Sequence, residues 1–411
     1  MIIKKESQNK KLSNNILSLA QIASQAKRNK PESINATIGM FNHNNSFYTF
    51  KSVKEVMGQI DDYSAFAYSD TDGGKLFEKA ILRWVFRDYL DTMLENNFVS
   101  VVATPGGSGA ISTTFQNYLD CGDTVLLPIH MWETYITFIK ERNCCYETYN
   151  LTNDKDEFDI DSLREKIIQI KDKQDRIVLV INDPCHNPTG FCMSDNDYDR
   201  LINLINEFKD YQFVLLMDVA YFDFYNSNGN IIRKRFSKLA KLGSNVLVNF
   251  AFSGSKTFGL YGLRIGASIM FGKDKQEIEC FKNAITYTAR SNWSSVSSLG
   301  ISIINKLVLD EKYEQMFIDE VKSVCSELEK RSAAFIEEAN EIGLPILPFT
   351  TGFFVCVLHK DPVRLMNKLH EYDTYVVVTK SCIRVALCAI NEDEARKLPQ
   401  IIMNAINNLE E

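Results

Sequence analysis

Six short apolar runs recur through the middle of the chain, and stretches with helical periodicity separate most of them. Because successive residues in each run are apolar, both faces of each predicted strand would be buried, which is typical of a parallel sheet covered by helices on both sides. The pattern therefore predicts an α/β sheet over about residues 95 to 275. The runs are FVSVVA (98–103), TVLLPI (124–129), RIVLVI (176–181), FVLLMD (213–218), NVLVNFAF (245–252) and IGASIM (265–270).

The C-terminal part of the chain has a different pattern. A long amphipathic stretch at 310–343 predicts a helix, and the alternating segments GFFVCVLH and CIRVALCAI that follow it predict strands of a smaller α+β lobe. We expect three parts: an N-terminal segment (1–48) that packs with the small domain, a large domain (49–290) and the small domain (291–411).

Composition and charge narrow the possible partners. The 411 residues are 45% hydrophobic and 24% charged, and the net charge of −7 argues against nucleic acid as a partner. The sequence contains no run of about 18 or more apolar residues, so we expect no membrane span. The N-terminus lacks the apolar core of a secretory signal, so we expect a cytoplasmic protein. The ten scattered cysteines and five histidines show no ligand spacing, and we therefore expect no metal site.

Candidate ligand-binding residues follow the apolar runs, at the carboxyl ends of strands, where open α/β sheets bind their ligands. After the run at 98–103, TPGGSGA predicts a glycine turn into a helix whose backbone N–H groups would bind an anion at Gly106, Gly107 and Ser108. The run at 124–129 is followed by two residues with flat rings, and the run at 176–181 by an asparagine. The run at 213–218 ends in an aspartate with a tyrosine close by, and the run at 245–252 is followed by a loop with a lysine and an arginine. These residues are His130, Trp132, Asn187, Asp218, Tyr221, Ser253, Lys256 and Arg264.

Each candidate also has an ordinary structural explanation, as a turn, a helix cap, a core aromatic residue or a solvated lysine. Their common placement at one end of successive strands favours a ligand site. A helix N-terminus with Arg264 suits a phosphate, Asp218 suits a protonated ring nitrogen, and the Lys256 amine suits an aldehyde. Pyridoxal 5′-phosphate carries all three groups, and Lys256 would form its Schiff base.

Four motifs resemble those of the class I/II aminotransferases of fold type I, and closely those of the aspartate and aromatic aminotransferase subgroup: SGSKTFGLYGLRIG, CHNPTG, DVAY and TPGGSGA. The resemblance extends from about Ile34 to the C-terminus. It implies a large cofactor-binding domain with a mostly parallel, seven-stranded sheet sandwiched by helices, and a smaller α+β domain. It also implies a homodimer with shared active sites.

The resemblance assigns each candidate a role. Lys256 would hold the cofactor and carry a proton between substrate and cofactor, and Asp218 would pair with the ring nitrogen. Asn187 and Tyr221 would bind the phenolic oxygen. The phosphate would be held by Gly107, Ser108, Ser253 and Arg264, with Tyr68 contributed by the neighbouring subunit.

The resemblance also implies how the substrate is bound. Arg384 in CIRVALC matches the arginine that binds the substrate α-carboxylate, beside Asn187. Gly39 matches a glycine that closes over the substrate, with Ile38 as a hydrophobic lid. Arg290 matches an arginine that reaches from the other subunit to a distal carboxylate, although SSV replaces the proline pair that usually follows.

A second departure from the subgroup concerns the residue that stacks on the cofactor ring. His130 stands where the subgroup commonly has tryptophan, and Trp132 lies two residues further on. The sequence leaves open which of the two rings stacks on the cofactor.

The implied function is a pyridoxal-phosphate-dependent aminotransferase. It would exchange an amino group between an L-amino acid, either aspartate/glutamate or aromatic, and a 2-oxo acid by a ping-pong mechanism. A C–S β-lyase or an amino-acid decarboxylase of the same fold stays open, because sequence does not report which Cα bond lies perpendicular to the ring. A serine acyl-transfer interpretation of SGSK is disfavoured, since SDN precedes it and no K-T-G follows.

Overall fold

The structure, a computed structural model, describes residues 2–4, 7–8, 10, 16–44, 46–226 and 229–410. Its helices are α1 (Ile16–Asn29), α2 (Lys51–Met57), α3 (Asp62–Phe66), α4 (Gly74–Phe86), α5 (Leu90–Leu94), α6 (Gly106–Tyr118), α7 (Thr134–Lys140), α8 (Ile160–Ile170), α9 (Asp195–Glu207), α10 (Asn230–Lys238), α11 (Gly254–Thr257), α12 (Lys275–Asn292), α13 (Ser298–Leu309), α14 (Glu311–Glu341), α15 (Pro362–Glu371) and α16 (Glu392–Glu410). Its strands are β1 (Ile34–Asn35), β2 (Asn42–His43), β3 (Ser46–Phe47), β4 (Phe98–Thr104), β5 (Thr124–Pro128), β6 (Cys145–Tyr149), β7 (Arg176–Asn182), β8 (Gln212–Asp218), β9 (Val246–Ser253), β10 (Gly266–Gly272), β11 (Phe354–Leu358), β12 (Thr374–Tyr375), β13 (Val377–Val378) and β14 (Cys382–Ala386).

The main sheet has seven strands in the order β4-β10-β9-β8-β7-β5-β6. Only β10 runs against its neighbours, β4 and β9, and the other pairings are parallel. The mostly parallel, seven-stranded sheet expected from the sequence is therefore confirmed, and each of the six apolar runs forms a strand. The seventh strand, β6, lies at the sheet edge with its first residues exposed, so it carries no continuous apolar run.

Helices cover both faces of this sheet, which explains why its strands are apolar at successive positions. Along β5, Leu126 packs into one hydrophobic core, whereas Val125 and Leu127 pack into the core on the opposite face. That second core also contains Ile111 of α6 and Tyr135 of α7. The sheet is thus the central layer of three, and its carboxyl edge presents the loops that follow the strands.

A second, smaller hydrophobic core lies beyond the main sheet. It surrounds the three-stranded antiparallel sheet β11-β14-β13, and α14 and α16 pack against each other beside it. The N-terminal part of the chain joins this core, because β1 pairs with β12 and Ile34 is buried there. Helix α14 contributes to both cores, with Phe317 in the larger one and Phe335 in the smaller. The expected domain boundaries at residues 48 and 290 stay predictions.

Among the described residues, no helix combines the length and the apolarity that crossing a bilayer requires.

A buried ion pair joins the elements beneath the carboxyl edge of the main sheet. Arg233 on α10 is fully buried and donates to Asp223 Oδ1 at 2.8 Å and to the backbone oxygen of Trp84. The other carboxylate oxygen of Asp223 accepts hydrogen bonds from Trp84 Nε1 at 2.9 Å and from Thr257 Oγ1 at 2.8 Å. Asp223 thereby connects α4 and α10 to α11.

Loss of the Asp223 carboxylate should destabilise the whole chain. Because Arg233 would stay buried without its charge partner, Asp223→Ala should lower the free energy of unfolding by about 3–5 kcal/mol, measured by denaturant titration. Glu207→Ala is the matched control, since it breaks the exposed pair between Glu207 and Arg164 and should cost far less. Equal losses for the two variants would contradict the assignment of Asp223 as a structural centre.

Candidate functional site

A cavity opens at the carboxyl edge of the main sheet, where the sequence predicted a ligand site. It brings together nine of the predicted residues, from loops that are far apart in the sequence: Gly107, Ser108, Trp132, Asn187, Asp218, Tyr221, Ser253, Lys256 and Arg264. The remaining lining residues are Ile111, Asn182, Ala220, Ser255 and Tyr261.

Lys256 stands at the centre of this cavity on α11, the short helix that directly follows β9. Its Nζ donates a hydrogen bond to the backbone oxygen of Gly39 at 2.6 Å and lies 4.8 Å from the centre of the Tyr261 ring. Burial lowers the pKa of the Lys256 amine to about 8. A substantial fraction of the amine is therefore neutral, and nucleophilic, near physiological pH.

Asp218 lies at the end of β8 with its carboxylate buried in the cavity wall. Its Oδ2 accepts a hydrogen bond from Tyr135 Oη at 2.5 Å, and its Oδ1 accepts one from the backbone N–H of Ala220 at 3.2 Å. Burial raises the pKa of Asp218 to about 6, which the two hydrogen bonds and the charge of Lys256 oppose. The carboxylate is therefore mostly ionised at neutral pH and available to a cationic group.

The N-terminus of α6 forms one end of the cavity, and glycine allows two side chains to approach it closely. A Cβ on Gly106, which has φ of +71°, would lie 2.8 Å from Arg264 Nη2. A Cβ on Gly107 would lie 3.3 Å from Ser253 Cβ. Arg264 is held by hydrogen bonds from Nη1 to Ser255 Oγ and to the backbone oxygen of Tyr261, both at 2.9 Å. A helix N-terminus beside a fixed guanidinium is a site for a phosphate.

Arg384 reaches the site from β14 in the smaller core and is buried. Its Nη1 donates to Asn187 Oδ1 at 3.3 Å, its Nη2 donates to the backbone oxygen of Thr37 at 2.8 Å, and its guanidinium lies 4.3 Å from the Phe354 ring centre. The buried Nε has no hydrogen-bond partner within the described part of the chain. Because a buried guanidinium without a carboxylate is costly, this side chain is prepared to bind an anionic ligand.

Gly39 brings the N-terminal segment over the cavity. A Cβ at this position would lie 2.5 Å from Phe354 Cζ, so only glycine permits this approach without displacing the ring. The Gly39 oxygen can then accept the hydrogen bond from Lys256. Ile38, expected beside it as a lid, is only partly buried.

Six of the fifteen predicted residues do not line the cavity. Gly39, Gly106 and Arg384 contact residues that line it, whereas the other three lie apart from it. His130 instead lines a separate cavity with Asn150 and Thr189, so Trp132 is the one of the two rings that lines the Lys256 cavity. Tyr68 is 95% exposed. Arg290 is also exposed, near the end of α12, where its Nη1 donates to Ser294 Oγ at 2.5 Å. The expected contributions of Tyr68 and Arg290 to a neighbouring subunit's site stay predictions.

Sequence reasoning missed several residues of the site. Ser255 and Tyr261 lie inside the lysine motif, and Asn182 ends β7, so the motif and the strand end were the sequence signals for these three residues. Asn182 holds two parts of the site together, since its Nδ2 donates to the Asp218 backbone oxygen and its Oδ1 accepts from the backbone N–H of Asn187. Tyr135 carried no sequence signal, because its contact with Asp218 depends on how α7 packs.

Within the described parts of the chain, no group of three or more His, Cys, Asp or Glu side chains is arranged to hold a metal ion.

Known proteins place this arrangement in a family. The family model for class I and II aminotransferases matches residues 31–402. The mitochondrial aspartate aminotransferase of Arabidopsis thaliana is 20% identical over 84% of this chain and 80% of its own length. An aromatic-amino-acid aminotransferase of Pseudomonas aeruginosa is 21% identical over 69% of each chain.

Comparison of the structure with solved structures also indicates an aminotransferase. The crystal structure of an aminotransferase from Anaerococcus prevotii superposes with a TM-score of 0.93, at 28% sequence identity and over 99% of both chains. The family match covers nearly all of both hydrophobic cores and every residue that lines the cavity. The protein therefore belongs to the class I and II aminotransferases and is a pyridoxal-phosphate-dependent aminotransferase.

Proposed function

We propose that this aminotransferase exchanges amino groups between an L-amino acid with an acidic or aromatic side chain and a 2-oxo acid, in two half-reactions at the Lys256 cavity. The observation that carries the proposal is the arrangement around the Lys256 amine. The phosphate site at the α6 N-terminus and the buried Asp218 carboxylate line the same cavity as this amine. The buried Arg384 guanidinium contacts Asn187 in the cavity wall and Thr37 in the segment that covers it. The substrate class is supported by the named activities of the relatives, which are aspartate and aromatic aminotransferases.

The residues present suit pyridoxal phosphate. The α6 N-terminus with Ser253 and Arg264 would hold its phosphate, and the Asp218 carboxylate would hold its ring nitrogen. Trp132 would cover one face of the ring, and Asn187 and Tyr221 lie in the same wall to bind its phenolic oxygen. Lys256 would bond its aldehyde carbon. When bound, the cofactor supplies an electron sink that stabilises negative charge at the substrate Cα.

Lys256 is the group that would move the proton. The substrate's amino group would first displace Nζ from the cofactor's aldehyde carbon. Because the pKa of the freed amine is lowered to about 8, Nζ could then accept the proton from the substrate Cα near neutral pH. The backbone oxygen of Gly39 holds Nζ in place, and Tyr261 and Tyr221 lie beside it. The same amine would return the proton to the carbon of the former cofactor aldehyde, and a water molecule must then add to the substrate carbon to release the 2-oxo acid.

Arg384 would fix the substrate. Its guanidinium contacts Asn187 and Thr37, and its Nε has no partner among the described residues, so it could bind an α-carboxylate through two parallel hydrogen bonds. No comparison favours the C–S β-lyase or decarboxylase alternative.

A homodimer is part of the proposal. Tyr63, Phe66, Tyr68 and Tyr287 are all at least 80% exposed. Three of them, Tyr63, Phe66 and Tyr68, lie within six residues on and just after α3, and large exposed apolar side chains set close together are typical of a protein interface. The resemblance implies that Tyr68 and Arg290 reach a partner's cavity, and neither residue lines the cavity of its own chain.

We also propose a cytoplasmic location. All ten cysteines are unpaired in the structure, and seven of them are buried. Free thiols in this number are typical of a reducing compartment.

The function is tested by the absorbance spectrum of the purified chain with pyridoxal phosphate. Addition of L-aspartate, or separately of L-tyrosine or L-phenylalanine, should move the cofactor band from about 360–430 nm to about 330 nm, with release of the matching 2-oxo acid. Lys256→Ala should show no such conversion. Release of carbon dioxide, or of a thiol from cysteine conjugates, without a 2-oxo acid of unchanged carbon skeleton would contradict transamination.

Replacement of the carboxylate-binding arginine should weaken substrate binding. Arg384→Lys keeps the charge but loses the planar pair of donors, so KM for the amino acid should rise about ten- to a hundredfold. The matched control is Arg235→Lys, which alters a buried arginine bonded to Asp195 and the Met193 oxygen, away from the cavity. An unchanged KM in Arg384→Lys, measured by steady-state kinetics, would exclude this role.

A mixing experiment tests the shared site. Lys256→Ala and Arg290→Ala should each have little activity toward aspartate alone. If Arg290 acts in the partner's cavity, mixing the two variants under conditions that exchange subunits should restore activity. In each hybrid dimer, one cavity would then contain both Lys256 from its own chain and Arg290 from the partner. A mixture no more active than its components would show that Arg290 does not cross the interface, and sedimentation should meanwhile report a dimer.

A further inference from the structure

Tyr135 lies directly behind the cavity and contacts two of its walls. The side chain is fully buried on α7, and its hydroxyl donates to Asp218 Oδ2 at 2.5 Å. Its ring meets the Trp132 ring edge-on, with centroids 5.4 Å apart and planes at 84°. Tyr135 itself does not line the cavity. One side chain thus supports both the aromatic wall and the carboxylate.

We infer that Tyr135 is a positioning residue that holds the Asp218 carboxylate ionised and oriented toward the cofactor's ring nitrogen. The inference rests on the proposed binding of pyridoxal phosphate in this cavity. It extends that proposal to a residue that touches neither cofactor nor substrate and acts only through Asp218.

The hydrogen bond has one possible direction when the carboxylate is charged. Burial, together with the nearby Asp218 charge, raises the pKa of Tyr135 well above 10. The hydroxyl therefore stays protonated and is the donor of the hydrogen bond to the carboxylate. Ala220 N–H binds the other oxygen of the carboxylate. With one donor on each oxygen, the plane of the carboxylate is fixed while lone pairs stay free for a ligand.

The charge state of Asp218 depends on few neighbours. Burial raises its pKa to about 6, and the Tyr135 hydrogen bond opposes that rise more than any other group, followed by Ala220 N–H and the Lys256 charge. Tyr221 is the other titratable group beside it. Removal of the Tyr135 hydroxyl should therefore raise the pKa of Asp218 and leave it protonated over more of the neutral range.

The chain offers a matched control for a purely structural role. Tyr198 is also fully buried and donates to a buried carboxylate, Asp183 Oδ2, at 2.8 Å. Burial raises the pKa of Asp183 to about 6, as for Asp218. This pair does not line the cavity. Tyr198→Phe therefore removes the same kind of hydrogen bond without touching Asp218.

The test compares cofactor binding by the full-length wild type, Tyr135→Phe and Tyr198→Phe after cofactor removal. Pyridoxal phosphate is titrated into each chain, and the dissociation constant is measured by fluorescence from about pH 6 to about pH 9. The ratio of variant to wild-type constants removes the titration of the cofactor itself. For Tyr135→Phe the ratio should be at least tenfold near pH 7 and should fall toward one at about pH 9, where Asp218 is ionised in both chains.

Tyr198→Phe should lower the melting temperature but keep the wild-type dissociation constant at each pH. The inference is overturned if the Tyr135→Phe ratio is near one throughout, if it is raised equally at every pH, or if Tyr198→Phe gives the same profile. Failure of the wild type to bind pyridoxal phosphate would instead overturn the proposed function.

Discussion

The cost of holding a lysine amine and two other charged groups partly out of water governs the architecture of this site. Lys256, Asp218 and Arg384 come from three different strands or strand ends, and each is withdrawn from solvent. Burial moves the pKa of the amine down to about 8 and that of the carboxylate up to about 6, so both groups titrate close to neutral pH. The amine is thereby suited to proton transfer, which an ordinary surface lysine is not, and the carboxylate stays mostly charged at neutral pH and available to a cationic group.

The rest of the structure offsets that cost locally. The N-terminal segment folds over the cavity at Gly39, where only glycine fits against Phe354, and its backbone supplies acceptors for Lys256 and Arg384. Asn182 and Tyr135 supply the donors and acceptors that hold Asp218 and the Asn187 turn. The smaller core therefore does more than cover the large sheet, since it brings Arg384 within reach of residues at the sheet's carboxyl edge.

Much of this could be predicted from sequence because it depends on local patterns. Strands buried on both faces must be continuously apolar, so β7 and β8 were evident, and the residues that end them fall at a common edge. Edge strand β6 was not evident, since one side of it meets solvent. Side-chain direction was also beyond sequence reasoning: His130 and Trp132 are two residues apart, yet they line two different cavities.

The most direct test of this account is to locate the cofactor on the chain. The purified protein, incubated with pyridoxal phosphate and reduced with borohydride, would be digested and its peptides examined by mass spectrometry. We predict a single modified peptide, the one that contains Lys256, and its loss in Lys256→Arg. Modification of a different lysine, or of many lysines equally, would contradict the assignment of Lys256 and the cavity built around it.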